Sequence, residues 1–129
     1  RPAVVLLDEP TEGLDARGRS RLIAALQLLT EESVTLVVAT HDADFALSWA
    51  ESVAVIEAGR IRYGEPLALL TDSRLVSGSG LRKPLVVRVL AGLGENPEGV
   101  TDVLGLVGRL GDLLDAHDAA AGAFPARRA

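Results

Sequence analysis

Two short hydrophobic runs, Ala3 to Leu7 (AVVLL) and Val34 to Ala39 (VTLVVA), most constrain what this chain can fold into. Hydrophobicity without a two-residue alternation suits strands buried on both faces, as in a parallel sheet. Between them, Arg17 to about Glu32 places Leu22, Ile23, Leu26 and Leu29 at helical spacing, which predicts an amphipathic helix. Pro10 cannot donate to a ladder, so the first strand ends at Asp8-Glu9-Pro10, and Ser33 separates the helix from the second strand. Asp42 is a good N-cap for a helix from Ala43 to Ala50. Ser52 to Glu57 and Arg60 to Tyr63 read as a hairpin, with Gly59 supplying the positive φ of its turn. Pro66 suits the first turn of a short helix through Leu70. The order β-α-β-α-β-β-α predicts a parallel sheet covered on both faces by helices. Functional groups in such sheets gather at the carboxyl ends of the strands, where Asp8, Glu9 and His41 fall.

The pattern weakens beyond Thr71. Ser77-Gly78-Ser79-Gly80 has the composition of a flexible linker. Pro84 to about Leu93 suits either a helix or a strand, and Asn96-Pro97-Glu98-Gly99 a turn. Thr101 or Asp102 can cap an amphipathic helix with Val103, Leu106, Val107, Leu110, Leu113 and Leu114 on one face. Gly105, Gly108 and Gly111 weaken that helix by about 1 kcal/mol each relative to alanine, and Ala119 to Ala129 reads as a frayed tail.

Composition excludes several chemistries. Cysteine is absent, so there is no disulfide framework, thiolate metal site or cysteine nucleophile. Lys+Arg 13 against Asp+Glu 18 gives a formal charge of −5, which argues against a nucleic-acid-wrapping surface. No uncharged apolar run approaches the ~20 residues that span a bilayer, and no secretory signal pattern is visible. Methionine is absent too, and the chain enters an apolar strand directly after Arg1-Pro2. Both features predict a piece of a longer polypeptide, or a processed or mistranslated product.

The central chemical feature is Val4-Val5-Leu6-Leu7-Asp8-Glu9. Two consecutive carboxylates at a strand end point in different directions. One can hold a hydrated Mg²⁺, a hard cation that prefers oxygen ligands. The other is free to orient and polarise a water. Phosphoryl transfer needs mainly such positioning and charge neutralisation. His41, at the end of another strand, can donate to the transferred phosphate. Acidic pairs at strand ends are commonly just solvated, and a histidine after a strand commonly caps a helix. The joint pattern Asp8-Glu9-Pro10-Thr11-Glu12-Gly13-Leu14-Asp15, with Thr40-His41-Asp42 ending the next strand, is hard to produce by chance.

LLDEPTEGLD followed by VVATHD resembles the second half of an ATP-binding cassette (ABC) ATPase, over Arg1 to about Leu70. The resemblance implies an α/β fold: part of a P-loop NTPase-type parallel sheet flanked by helices, with a short β-hairpin and a helical C-terminal extension. It implies that Asp8 holds Mg²⁺ through water as the Walker B aspartate. Glu9 matches the catalytic base that positions the attacking water. Gly13, Leu14 and Asp15 match the D-loop, which reaches the nucleotide site of a second subunit, and His41 matches the switch histidine at the γ-phosphate. ATP and Mg²⁺ are the implied ligands. The implied partners are a second cassette ATPase subunit, as a homo- or heterodimer, and an integral-membrane transporter subunit, with no nucleic acid. The implied location is cytoplasmic, peripheral on the inner face of the cell membrane. The Asp-x-x-x-Ala-x-x-Trp-Ala spacing from Asp42 to Ala50, and Gly80-Leu81-Arg82-Lys83-Pro84-Leu85-Val86, are similar to the cobalt/nickel energy-coupling branch of importers. The chain then divides into 1–76, the C-terminal part of a nucleotide-binding domain; 77–100, a linker or extension; and 101–129, an amphipathic helix with a tail.

The departures from the family pattern are specific. No GxxxxGK[ST] phosphate loop, LSGGQ-like signature or Q-loop is present. The backbone N–H groups and lysine of such a loop cradle the β- and γ-phosphates, so the chain by itself is expected to bind ATP poorly and to hydrolyse it negligibly. The expectation is the ATP-hydrolysing subunit of an importer of cobalt or a related micronutrient, seen in part. The alternative is a non-catalytic remnant or interaction module that pairs with a complete cassette subunit.

Overall fold

A computed structural model describes residues 2–121; the expected tail beyond residue 121 lies outside the described residues. The chain divides into two compact units, Arg1–Leu85 and Val86–Ala129.

In the first unit, β1 (Val4–Asp8) leads through a turn into α1 (Ala16–Glu31), which returns to β2 (Thr35–Ala39). β1 and β2 pair in parallel, with Val4 opposite Thr35 and Asp8 opposite Ala39. Asp15 caps α1 by accepting the Gly18 N–H at 2.7 Å. The predicted stripe faces inward: Leu26 is buried, and Leu22, Ile23 and Leu29 are half-buried. Ser33 ends the helix with φ +61°. α2 (Ala43–Trp49) follows, capped by Asp42 through the Phe45 N–H at 3.0 Å. Trp49 packs on Phe45, ring centroids 5.7 Å apart.

β3 (Val53–Glu57) and β4 (Arg60–Gly64) form an antiparallel hairpin with Ile56 opposite Ile61. Its turn places both Ala58 and Gly59 at positive φ, +46° and +75°. That is the type I′ pattern, whose twist matches the strands it joins. α3 (Pro66–Thr71) and α4 (Ser73–Gly78) complete the element order of this unit. Val55, Leu69 and Leu75 form a small core, against which Val53 and Leu81 pack. Ser77 and Gly78, expected in a linker, instead close α4. Asp72 caps that helix by accepting the Arg74 and Leu75 N–H groups, and those bonds hold its carboxyl below the usual range.

Two expectations from hydrophobicity differ from what is observed. β1 and β2 alternate half-buried with exposed residues rather than burying both faces, and Leu6 is 73% exposed. α1 packs against β2, while Val4, Leu6, Thr35 and Val37 are left exposed. β3 does not join the parallel sheet; the four strands form two separate two-stranded sheets. A groove of about 530 Å³ lies between them, lined by Leu36 through Ala39 of β2 and Val53 through Ile56 of β3. Consecutive strand residues point to opposite faces, so a groove lined by four in a row on each side runs along the unpaired hydrogen-bonding edges.

In the second unit, Val86, Val87 and Leu90 of α5 (Leu85–Gly92) are buried, so the ambiguous stretch resolves as helix. Asp102 caps α6 (Val103–Ala121) by accepting the Gly105 N–H at 2.8 Å. Of the predicted apolar face only Leu106 is buried; Val103, Val107 and Leu114 are exposed. No helix among the described residues is long and apolar enough to cross a membrane.

Candidate functional site

Parallel pairing sets the site. With Asp8 opposite Ala39, the residues that leave the two strands, Glu9 and Thr40-His41, emerge side by side. The Glu9 N–H extends the ladder to the Ala39 carbonyl at 2.9 Å. Glu9 then adopts φ +43°, in the left-handed region. A non-glycine residue held there costs about 1–3 kcal/mol, and such strain clusters at functional sites. Beyond Glu9 the chain turns tightly, with Glu12 N–H bonded to the Glu9 carbonyl and Leu14 N–H to the Thr11 carbonyl. Thr11 is buried at the centre of this turn.

The Glu9 carboxylate receives three donors at most. Oε1 accepts the His41 backbone N–H at 2.9 Å and lies 2.7 Å from His41 Nδ1. Oε2 accepts the Thr40 hydroxyl at 3.0 Å. The Asp42 N–H in turn donates to Thr40 Oγ at 3.1 Å. The His41 side-chain contact, above all, holds the Glu9 carboxyl below the usual range, with lesser help from Thr40 and against some desolvation. The same hydrogen bond, with the Glu9 charge behind it, raises the His41 imidazole; Asp42 and Glu12 add to the rise. Glu9 is the shielded partner, its side chain 29% exposed against 80% for His41. A carboxylate offers about four lone-pair sites. Three donors therefore leave room for one more, which a water can fill.

Of the residues expected to act, Glu9 and His41 are in direct contact. Gly13 and Leu14 line with them a cavity of about 560 Å³, together with Glu12 and Arg19. Gly13 holds φ +74°, which glycine alone adopts freely. Asp15 lies off that cavity, and its Oδ1 accepts the Gly18 N–H at the start of α1. Asp8 ends β1 exposed, with no hydrogen bond or ion pair to its carboxylate among the described residues. No group of three or more potential metal-binding side chains exists among the described residues. Magnesium does not require one: it is held by one or two carboxylates with water and substrate phosphates. The Asp8 carboxylate, unengaged and next in sequence to Glu9 though not in the cavity lining, is of the chemical type that donor set uses.

Two participants escaped the sequence reading. Thr40 bridges Glu9 and Asp42; its position between strand and histidine was the available clue. Arg19 forms an ion pair with Asp42 across the head of the unit. Nothing in the local sequence marks that pairing, because the partners lie far apart in the chain.

No protein-family model matches the chain. The chain is 42% identical over 88 residues to the energy-coupling factor transporter ATP-binding protein EcfA of Carboxydothermus hydrogenoformans, covering 68% of this chain and 33% of that protein. It is 43% identical over 88 residues to the cobalt import ATP-binding protein CbiO of Rhodobacter capsulatus, covering 67% and 31%. The chain belongs to the ABC transporter ATP-binding proteins. Among solved structures it matches cbiO1 of Clostridium perfringens, part of the ABC transporter complex cbiONQ. That match has a TM-score of 0.51 and 32% identity, over 70% of this chain and 37% of that one. The fold is accordingly a partial ABC ATPase α/β fold. The chain spans about a third of the length of the curated relatives it matches.

Proposed function

We propose that this chain is the Walker B, D-loop and switch-histidine portion of an ATPase subunit that powers an importer, with cobalt or a related micronutrient as cargo. The observation that carries the reading is the Glu9–His41 pair at adjacent parallel strand ends. Glu9 orients the attacking water with its remaining acceptor site and receives its proton. A carboxylate kept ionised by its neighbours is suited to holding that water in line. His41, with its raised pKa, presents Nε2–H toward the γ-phosphate while Nδ1 stays on Glu9. Asp8 would be the residue that holds Mg²⁺, which would supply charge neutralisation at the phosphates. Gly13, Leu14 and Asp15 face a second cassette subunit at the composite site. ATP is the substrate. The subunit works at the inner membrane face against an integral-membrane partner. Residues 1–76 carry these elements, 77–100 extend them, and 101–129 form a helical appendage.

The test is a chimera in which this chain replaces the matching third of the EcfA protein of C. hydrogenoformans. The expected result is ATP hydrolysis that Glu9→Gln abolishes while MgATP binding persists. Turnover retained in Glu9→Gln would sink the assignment of Glu9.

A second reading, an interaction module that pairs with a complete cassette subunit, is favoured by one observation. The unpaired edges of β2 and β3 face each other across an apolar groove. Under this reading the 129-residue chain captures a cassette subunit in pull-down and binds no nucleotide in equilibrium dialysis.

A further inference from the structure

The fold brings together two turns that the sequence keeps apart, and one side chain joins them. Asp15 starts α1, and its carbonyl accepts the Arg19 N–H at 2.9 Å, so Arg19 sits one helical turn beyond the Gly13–Asp15 segment. The Arg19 guanidinium reaches Asp42 Oδ2. Asp42 divides its carboxylate: Oδ1 caps α2 through the Phe45 N–H, and Oδ2 is left for Arg19. The Asp42 N–H bonds Thr40 Oγ, and the Thr40 hydroxyl bonds Glu9 Oε2. A continuous chain of contacts therefore runs from the first turn of α1 to the Glu9 carboxylate.

We propose that Arg19 is a positioning residue that ties the Gly13–Asp15 turn to the Glu9–His41 pair through Asp42. The inference rests on the functional reading of that pair given above. Holding α2 in place does not require Arg19, because the Oδ1 cap does that alone. Stability does not explain the pair either. The Arg19 side chain is 42% exposed and Asp42 14%, and partly solvated ion pairs add little. What the contact supplies is geometry. A planar guanidinium fixes the direction of the carboxylate it binds in a way that a lysine ammonium does not. Asp42, whose carboxylate binds Arg19, donates its own backbone N–H to Thr40 Oγ, and Thr40 in turn holds Glu9 Oε2.

The first test uses the 129-residue chain. The charged groups facing His41 are Glu9 at the end of β1, Glu12 in the following turn, Asp42 beside it and Arg19 on α1; Asp44 and Arg82 line the same cavity. Arg19→Ala leaves the Asp42 charge uncompensated. The His41 titration midpoint, followed by ¹H–¹⁵N NMR, is expected to rise and its Nδ1 resonance to move. Arg19→Lys restores the midpoint but not the resonance position, since it returns the charge without the planar guanidinium. An unchanged midpoint and resonance in Arg19→Ala overturn the proposal.

The second test uses the chimera. Arg19→Ala and Asp42→Asn, which keeps an N-cap acceptor, each lower kcat by about tenfold to a hundredfold, with the KM for ATP within about twofold. The double variant is no slower than the worse single variant, the mark of two residues acting as one unit. A parental kcat in Arg19→Ala overturns the inference, as do losses that multiply independently. Either result beside an inactive Glu9→Gln removes this inference alone. Turnover in Glu9→Gln removes the underlying reading instead.

Discussion

Thr40→Val removes one hydroxyl and keeps the shape of the side chain, so its effect isolates the bridge between Glu9 and the His41 turn. Two hydrogen bonds are lost: the hydroxyl to Glu9 Oε2 at 3.0 Å, and the Asp42 N–H to Thr40 Oγ at 3.1 Å. A neutral backbone donor left without its partner costs about 1 kcal/mol. A hydrogen bond to a charged acceptor is worth about 1.5–3 kcal/mol. Here it deserves the low end or less, because Glu9 is 29% exposed and its Oε1 keeps the His41 contacts. The expected loss is about 2 kcal/mol of unfolding free energy. With a urea slope of about 1–3 kcal/mol/M, the midpoint falls by about 1 M with the slope unchanged. The control is Thr30→Val, whose hydroxyl bonds only the Gln27 carbonyl within α1; it is expected to stay within about 0.5 kcal/mol of the parent. Urea unfolding followed by circular dichroism reads both. A Thr40→Val midpoint equal to that of Thr30→Val would show that Glu9 is held by His41 alone.

Two further outcomes follow from named contacts. His41 is raised and Glu9 lowered by the same hydrogen bond. The stabilisation of protonated His41 is complete below the ordinary imidazole value of about 6.5 and disappears as pH rises through the raised folded value. The stabilisation of ionised Glu9 is complete above its ordinary value and disappears as pH falls through its lowered one. The pair therefore contributes fully between the ordinary carboxyl and the ordinary imidazole values and fades outward to the lowered carboxyl and the raised imidazole, and Glu9→Gln should bring the NMR midpoint of His41 down toward 6.5; a midpoint that stays put would exclude Glu9 as its main cause. In the β3–β4 hairpin, Ala58 holds φ +46° ahead of Gly59. Ala58→Asn creates the Asn-Gly pair that type I′ turns prefer and should raise thermal stability by about 0.5 kcal/mol, whereas Gly59→Val should lower it by more than that.

What the sequence made legible was local. The stripe through Leu26, the Asp42 cap, the break at Ser33 and the turn at Gly59 are each set by a residue and its near neighbours, and each is found where expected. The Asp8-Glu9 and Thr40-His41 motifs were legible too, because parallel pairing of two apolar runs leaves little choice about which ends meet. The less legible features depend on distance or on context outside the motif. Arg19 meets Asp42 only after α1 and β2 are both in place. Ala58 takes a left-handed conformation because the hairpin twist demands it, against its own preference. Ser77 and Gly78 have linker composition, yet the Asp72 cap carries α4 through them.

The apolar runs of β1 and β2 show the deeper limit. Hydrophobicity at Val4, Leu6 and Val37 states that a side chain is suited to burial, not what will bury it. All three are more than half exposed here, and the β2 edge opens onto a groove that β3 closes from the other side. The strands thus carry the composition of a sheet covered on both faces, while these side chains stay exposed. Glu9 and His41 are nevertheless fully brought together, because their meeting depends on the register between β1 and β2 and not on burying those side chains. The Glu9–His41 contact therefore needs only two neighbouring strands in register and a residue held at φ +43° at the end of the first.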